Sequence, residues 1–276
     1  MDLTAHNSIS QRRETINAEL ASCKLCPRDC RVNRLKGEVG FCGLDSAARC
    51  FREMIHNGEE KQLVPSHQVY FAGCNLKCEY CSVAEWNRCP MEVEGIALEQ
   101  LAKKIAKRRA DGAKTLNFLG GEPSVNIYGI LGLLELVDPA TRVVWNSNMY
   151  YRDIVGGVLE GLADIFLADF KCFDANCSRD ILGVTDYSEI VRTNVKYACQ
   201  HSDVILRHLV LPGHFDCCAK PILEWIASEI PAVKVSLRFD YIPPIPAEFS
   251  PAEYLDNAQK QAVLDMAKEL KLNLIE

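Results

Sequence analysis

The sequence predicts an α/β fold, a parallel sheet covered by helices, behind a small cysteine-rich N-terminal segment. Three observations carry this expectation. Short apolar runs alternate with amphipathic stretches six times from about residue 68 onward, and parallel strands need crossovers of that kind. Apolar residues make up 48% of the 276 and charged residues 25%, enough for a normal core. Polar and small residues gather directly after the apolar runs, at Cys74, Gly120 to Glu122, Asn146 to Asn148, Asp169 to Lys171 and Arg207. That is the strand end at which α/β sheets and barrels place their active sites. The alternation leaves a doubly wound open sheet and a curved, barrel-like sheet both open.

The elements follow in order. Residues 1–22 read as a leader, helical from Ser10 to Ala21, and residues 23–66 as a cysteine-rich segment with turns at Gly37, Gly40 and Gly43. The first strand, from Val69, ends at Cys74. An amphipathic helix over Ile96–Ala110 shows apolar Ile96, Leu98, Leu101, Ile105 and Ala106 at helical spacing. The remaining strands are expected at Thr115–Leu119, Arg142–Trp145, Ile165–Ala168, Val204–Leu211 and Val233–Tyr241. Their helices are expected at Val125–Leu136, Tyr151–Leu162, Tyr187–Gln200, Lys220–Ile230 and Pro251–Leu270. This divides the chain into an N-terminal segment, 1–66, and an α/β core, 67–276.

No apolar run approaches the roughly 18 residues that span a bilayer, and the N-terminus lacks the apolar stretch of a secretory signal. A soluble, cytoplasmic protein is expected. The net charge of −6 argues against general nucleic-acid binding, which rests on phosphate neutralisation. Lys24, Arg28, Arg31, Arg34 and Lys36 form a local basic run. It reads either as a solvated loop or as a docking surface for an acidic partner or electron donor. The fourteen cysteines fall in tight clusters, which in a reducing compartment favours metal or cluster ligation over disulfides.

The strongest signal is Cys74-Asn-Leu-Lys-Cys78-Glu-Tyr-Cys81. Three thiolates on one short loop can hold three irons of a [4Fe–4S] cube and leave the fourth open to an external ligand, whereas an electron-transfer cluster takes four cysteines. A zinc site is the alternative, with His67 or Cys89 as a fourth ligand. Cys23, Cys26, Cys30 and Cys42, spaced C-x2-C-x3-C-x11-C, can close a zinc site or a second cluster, or simply pack. Either metal would staple a segment too small for its own core. Cys172 and Cys177 lie just past the fourth strand, where one could serve as a hydrogen-atom donor or a ligand. Cys50, Cys89, Cys199, Cys217 and Cys218 read as small core or surface residues.

With Tyr80 before its last cysteine, this triplet resembles the CxxxCxxC signature of the radical S-adenosylmethionine (SAM) superfamily. The resemblance implies a partial (βα)6 TIM-like barrel with a [4Fe–4S] cluster on Cys74, Cys78 and Cys81. It implies that SAM binds the open iron and is cleaved by one electron to a 5′-deoxyadenosyl radical, which abstracts hydrogen. Gly120-Gly121-Glu122-Pro123 resembles the family's SAM-binding GGEP motif. Asp169 and Lys171 resemble the D-x-K motif of glycyl-radical-enzyme activases, whose SAM-carboxylate arginine is matched by Arg207. Tyr80, Asn146, Asn148 and His208 are further candidate SAM contacts.

The Cys23–Cys42 element and the Arg207–His214 run narrow the resemblance to the pyruvate formate-lyase activating enzyme-like branch. That branch implies an electron donor of the flavodoxin or ferredoxin kind, and either a protein glycine or a small molecule as substrate. The chain differs from it at Val64–His67 and Ser82–Val83, beside the expected substrate mouth. The reading from another class is a non-catalytic iron–sulfur or zinc protein that binds a partner through its basic, cysteine-rich N-terminal segment.

Overall fold

The computed structural model describes residues 8–243 and 253–275. The chain forms two compact units, one of Met1–Asn75 and Val83–Ile165, the other of Leu76–Ser82 and Phe166–Glu276.

The first unit opens with α1 (Ile9–Leu20), whose N-terminus is closed by a reciprocal cap between Ser8 and Gln11. Helix α1 is fixed to the unit rather than trailing from it. Ile16 and Leu20 are buried, and the buried Arg12 donates to the carbonyls of Val158 and Glu160. The strands are β1 (Cys50–His56), β2 (Ser66–Phe71), β3 (Thr115–Gly120) and β4 (Val143–Ser147), in sheet order β1-β2-β3-β4. Strands β2, β3 and β4 are parallel, and β1 runs antiparallel to β2. Helices α2 (Ala84–Arg88), α3 (Leu98–Ala110), α4 (Ile127–Leu134) and α5 (Asp153–Leu159) connect or flank them.

The register sorts the side chains of β2–β4 onto two faces. Gln68 pairs with Asn117, Asn117 with Val144, and Phe118 with Trp145. Because side chains alternate along a strand, Val69, Phe71, Leu116, Phe118, Val143 and Trp145 share one face, and all are buried. Phe118 meets Phe71 and Trp145 at ring centroid distances of 5.9 and 6.0 Å. Burying each such side chain contributes roughly 1.5–3 kcal/mol. The opposite face carries Gln68, Tyr70, Asn117 and Asn146 beside the apolar Leu119 and Val144.

The second unit holds β5 (Ile165–Asp169), α6 (Ala175–Leu182), α7 (Tyr187–His201), β6 (Asp203–Leu209), α8 (Lys220–Glu229), β7 (Lys234–Arg238), α9 (Asn257–Glu269) and β8 (Asn273–Leu274). Sheet order is β5-β6-β7-β8, and β6, β7 and β8 are parallel neighbours. Phe170 centres its core, with ring centroids 5.5 Å from Trp225 and 6.4 Å from Tyr187.

All six expected core strands are present, as β2 to β7. Four of the labelled elements were not anticipated. Strand β1 lies inside the expected cysteine-rich segment, β8 is only two residues long, α2 is a short helix after the cysteine triplet, and α6 fills the stretch between Cys172 and Gly183. The expected closing helix is shorter than its sequence span and begins at Asn257, capped by Asp256 and Gln259. Its expected first residues, 251 and 252, lie outside the described residues. Among the described residues, no helix is long and apolar enough to cross a membrane.

Candidate functional site

In the first unit, the candidate residues converge at the C-terminal ends of β2, β3 and β4. Gly120 has φ +116°, and a Cβ there would lie 2.4 Å from both N and O of Phe71. A Cβ on Gly121 would lie 2.1 Å from the Gly73 carbonyl oxygen. The two glycines let the turn after β3 press against the backbone that leads to Cys74. Gly121 N–H donates to Phe71 O at 2.6 Å, and Glu122 N–H to Gly73 O at 2.9 Å. The close approach is to the chain's own backbone.

Glu122 is 1% exposed. Its carboxylate accepts from Ser124 N and Oγ, from Ser147 Oγ at 2.8 Å and from Asn148 N at 2.9 Å. Burial raises its pKa, against the pull of these donors. Glu122 thus ties the end of β3 to the end of β4. Asn148 in turn sends Nδ2 to Asn75 Oδ1 at 2.9 Å and to Cys74 Sγ at 3.7 Å. Asn75 donates to the Tyr150 carbonyl at 2.5 Å. Asn146 faces the polar side of the sheet, where it donates to Glu59, which also accepts from Asn117 at 2.6 Å. Glu59 was missed because it lies between elements with no motif around it.

The N-terminal cysteines also come together. Cys23, Cys26, Cys30 and Cys42 line one cavity with Arg34 and Phe41. The fold of this loop is local: Cys23 N–H donates to Val32 O, Arg31 N–H to Cys23 O, and Asp29 N–H to Cys26 O. Burial pushes the Cys26 thiol up to about 12, and the neighbouring Cys42, Cys23 and Cys30 add to it. Of the five basic residues here, two serve the fold. Arg34 is 2% exposed and donates to the carbonyls of Asp45 and Val125, while its buried Nη1 has no protein partner. Arg28 stacks 3.6 Å from the Phe41 ring centroid and donates to the Asn75 carbonyl at 2.9 Å.

In the second unit, the segment carrying Cys78, Tyr80 and Cys81 docks on the C-terminal end of α6. Lys77 N–H donates to Leu182 O and Glu79 N–H to Ile181 O, both at 3.0 Å, satisfying carbonyls that a helix end leaves open. Burial pushes the Cys78 thiol up to about 12, with Lys171 pulling it down. Burial also raises the Tyr80 phenol, whose ring meets Tyr241 edge-on at 6.2 Å. Asp169 sits between two cations, receiving Arg207 Nε at 2.7 Å and Lys171 Nζ at 2.6 Å. Burial alone would raise the Asp169 pKa, but Arg207 and Lys171 outweigh it and hold it at about 2. His208 is buried, with Nδ1 2.7 Å from the Phe170 carbonyl. Burial lowers its pKa and favours the neutral ring, so Nδ1 is the donor and fastens β6 to the residue after β5.

Of one further group in this unit, the sequence brings forward only Cys177 as a possible ligand. Cys177, His214, Cys217 and Cys218 bring their ligand atoms within 4.8 Å of one another. Cys217 and Cys218 had been read as ordinary core or surface residues. The spacing gave no warning, since 36 residues separate Cys177 from His214 in the chain.

The fourteen cysteines form no disulfide, and the sulfur-rich donor set suits iron. The family model of the radical SAM superfamily matches residues 69–226, from β2 into α8. The chain belongs to the radical SAM superfamily. A protein of Methanocaldococcus jannaschii is 34% identical over 273 residues, covering 92% of this chain and 76% of its own length. Among solved structures, Streptococcus suis SuiB bound to precursor peptide SuiA aligns with a TM-score of 0.55 at 15% identity, covering 73% of this chain. SuiB bound to S-adenosylmethionine aligns with a TM-score of 0.54 at 13% identity, again covering 73%. The chain spans less than half the length of SuiB, 46% and 47% in the two structures. These likenesses decide between the two arrangements left open by the sequence: the radical SAM chain has the partial-barrel fold of its superfamily. Membership implies a [4Fe–4S] cluster and SAM.

Proposed function

We propose that this radical SAM chain holds a [4Fe–4S] cluster on Cys74, Cys78 and Cys81, cleaves SAM reductively, and abstracts hydrogen from a protein glycine or a small molecule. The observation that carries the proposal is the environment built around these thiols. Asn148 offers an N–H to the Cys74 sulfur, and at Cys78, where burial pushes the thiol up to about 12, the Lys171 cation pulls against that rise. Both groups favour sulfur in its charged form. Cluster and SAM, when bound, supply one-electron cleavage to methionine and a 5′-deoxyadenosyl radical.

The chain's own residues then bind and orient. The turn at Gly120, Gly121 and Glu122, braced by Ser147 and Asn148 at the end of β4, shapes the SAM-binding side of the first unit, with Asn146 bound to Glu59 on the polar side of β4. In the second unit, Asp169 fixes Lys171 and Arg207 as a pair of cations suited to the SAM carboxylate, with His208 holding β6 behind them and Tyr80 beside Cys78. The polar face of Gln68, Tyr70, Asn117 and Glu59 favours a substrate rich in hydrogen-bonding groups. An electron donor of the flavodoxin or ferredoxin kind would supply the electron. The four N-terminal cysteines hold a second centre, zinc or a cluster. The unpartnered Nη1 of Arg34 at their cavity suits a group with net negative charge.

The non-catalytic alternative relied on the basic N-terminal run as a docking surface. It is weakened because Arg34 and Arg28 are spent on the chain's own carbonyls. The deciding experiment is anaerobic reconstitution with iron and sulfide, addition of dithionite and SAM, and measurement of 5′-deoxyadenosine. Product is expected from the wild type, none from Cys78→Ala, and a reduced amount from Cys26→Ala. A cluster-loaded wild type that makes no 5′-deoxyadenosine would overturn the proposal.

A further inference from the structure

We infer that Cys177, His214, Cys217 and Cys218 form a closed, tetrahedral zinc site, separate from the cysteine triplet and from the N-terminal four. The ligands come from two places. Cys177 lies in the first turn of α6, three residues after its cap Asp174, whose carboxylate accepts from Cys177 N–H at 2.9 Å. His214, Cys217 and Cys218 lie on a single π-turn before α8, in which the N–H groups of Cys218 and Ala219 both donate to His214 O.

The distances match one ion. Zinc–sulfur bonds of about 2.3 Å and zinc–nitrogen bonds of about 2.0–2.1 Å give tetrahedral edges of about 3.5–3.6 Å from sulfur to nitrogen. His214 Nδ1 lies 3.5 Å from Cys177 Sγ and 3.3 Å from Cys217 Sγ. All four ligand atoms lie within 4.8 Å of each other. A [4Fe–4S] cube spreads its sulfur ligands over four corner irons, so this tighter set fits a single ion instead. Three thiolates and an imidazole fill a zinc coordination sphere, which marks a structural site rather than one that opens to substrate. The surroundings support the ligands as outer-shell groups do. Phe173 N–H donates to Cys218 Sγ at 3.4 Å, and Asp174 N–H to Cys217 O at 3.2 Å.

The site has a task. It clamps the first turn of α6, and the last turn of α6 carries the segment with Cys78 and Cys81 through Leu182 O and Ile181 O. Helix α6 is eight residues long, about 12 Å at 1.5 Å per residue. Zinc at one end therefore steadies the backbone of the cluster loop at the other.

The test uses the full chain, stripped of metal, with and without zinc chloride. Iodoacetamide labelling read peptide by peptide is expected to spare Cys177, Cys217 and Cys218 in the zinc form and to modify them after 1,10-phenanthroline. Amide hydrogen exchange at Lys77 and Glu79 is expected to quicken at least severalfold on zinc removal. In a Cys26→Ser background, Cys217→Ser is expected to lower bound zinc by one equivalent. Equal labelling of Cys177 and Cys217 with and without zinc would overturn the site, as would recovery of iron rather than zinc on these three cysteines. Unchanged exchange at Lys77 and Glu79 would overturn its role in steadying the loop. The labelling and exchange measurements need no variant, so a Cys217→Ser chain that fails to fold leaves the test intact.

Discussion

Replacing Gly120 with alanine separates two reasons for a glycine, because the chain carries its own control. Gly120 and Gly112 have similar backbones, with φ +116° and +104°. Alanine at either position pays for a conformation that L-residues avoid, roughly 1–2 kcal/mol. At Gly112 nothing lies within 4 Å of the added Cβ, whereas at Gly120 it meets Phe71 N and O at 2.4 Å. Those are backbone atoms of β2 and cannot rotate away. Overpacking adds about 1–3 kcal/mol. Gly120→Ala is therefore expected to be less stable than Gly112→Ala by about 2 kcal/mol. At about 2–4 °C per kcal/mol for chains approaching this size, its melting midpoint should lie roughly 4–8 °C lower. Differential scanning fluorimetry of the two metal-free variants reads this difference. Equal midpoints would refute the close approach of the turn to β2 and remove the structural reason for a glycine at this position of the motif.

Arg34→Met leaves the part-buried carbonyl of Asp45 and the buried carbonyl of Val125 without this donor; a loss of about 2–4 kcal/mol is expected in urea denaturation. Asn148→Ala removes the N–H that points to Cys74 Sγ, so the reconstituted cluster should show a midpoint potential lower by on the order of tens of millivolts in an EPR-monitored titration. Asp169 has a pKa depressed from 3.8 to about 2, so its ionised form stabilises the fold above about pH 4, and that contribution is lost as pH falls through 2. Asp169→Asn should therefore cost about 2 kcal/mol at neutral pH and flatten the wild type's acid decline between pH 4 and 2.

The strands were legible because β2 to β7 are short apolar runs that stop at polar residues, and burial on at least one face writes itself into composition. Strand β1 was not, because its residues Arg52, Glu53 and His56 interrupt the apolar Phe51, Met54 and Ile55. It is held by backbone pairing with β2, and Glu53 meets His67 at 2.8 Å. Helix α6 was hidden because it is eight residues long and its buried face has only Ile181 and Leu182 as large apolar residues beside Ser178; its ends are set by the Asp174 cap and by Gly183 at φ +74°. At the site, the motif residues were visible, but what each one touches was not. Spacing brought Glu122 forward as an acceptor for a ligand, while the fold turns its carboxylate onto Ser124, Ser147 and Asn148. Likewise the Cys177–Cys218 group is assembled by tertiary structure alone, from the first turn of α6 and a π-turn that no sequence window joins to it.

Arg28 gives the N-terminal loop a mechanical hold on Cys74, the first of the proposed cluster ligands. Its guanidinium lies on the Phe41 ring and donates to the carbonyl of Asn75, the residue bonded to Cys74. Anything that orders the Cys23–Cys42 loop also orders this arginine, and with it the peptide that aims Cys74. Such an arrangement is a thermodynamic linkage, and linkage is reciprocal. If metal in the N-terminal cavity tightens the hold on iron at Cys74 by some factor, iron at Cys74 must tighten the N-terminal metal by the same factor. The two centres would then load, and be lost, together.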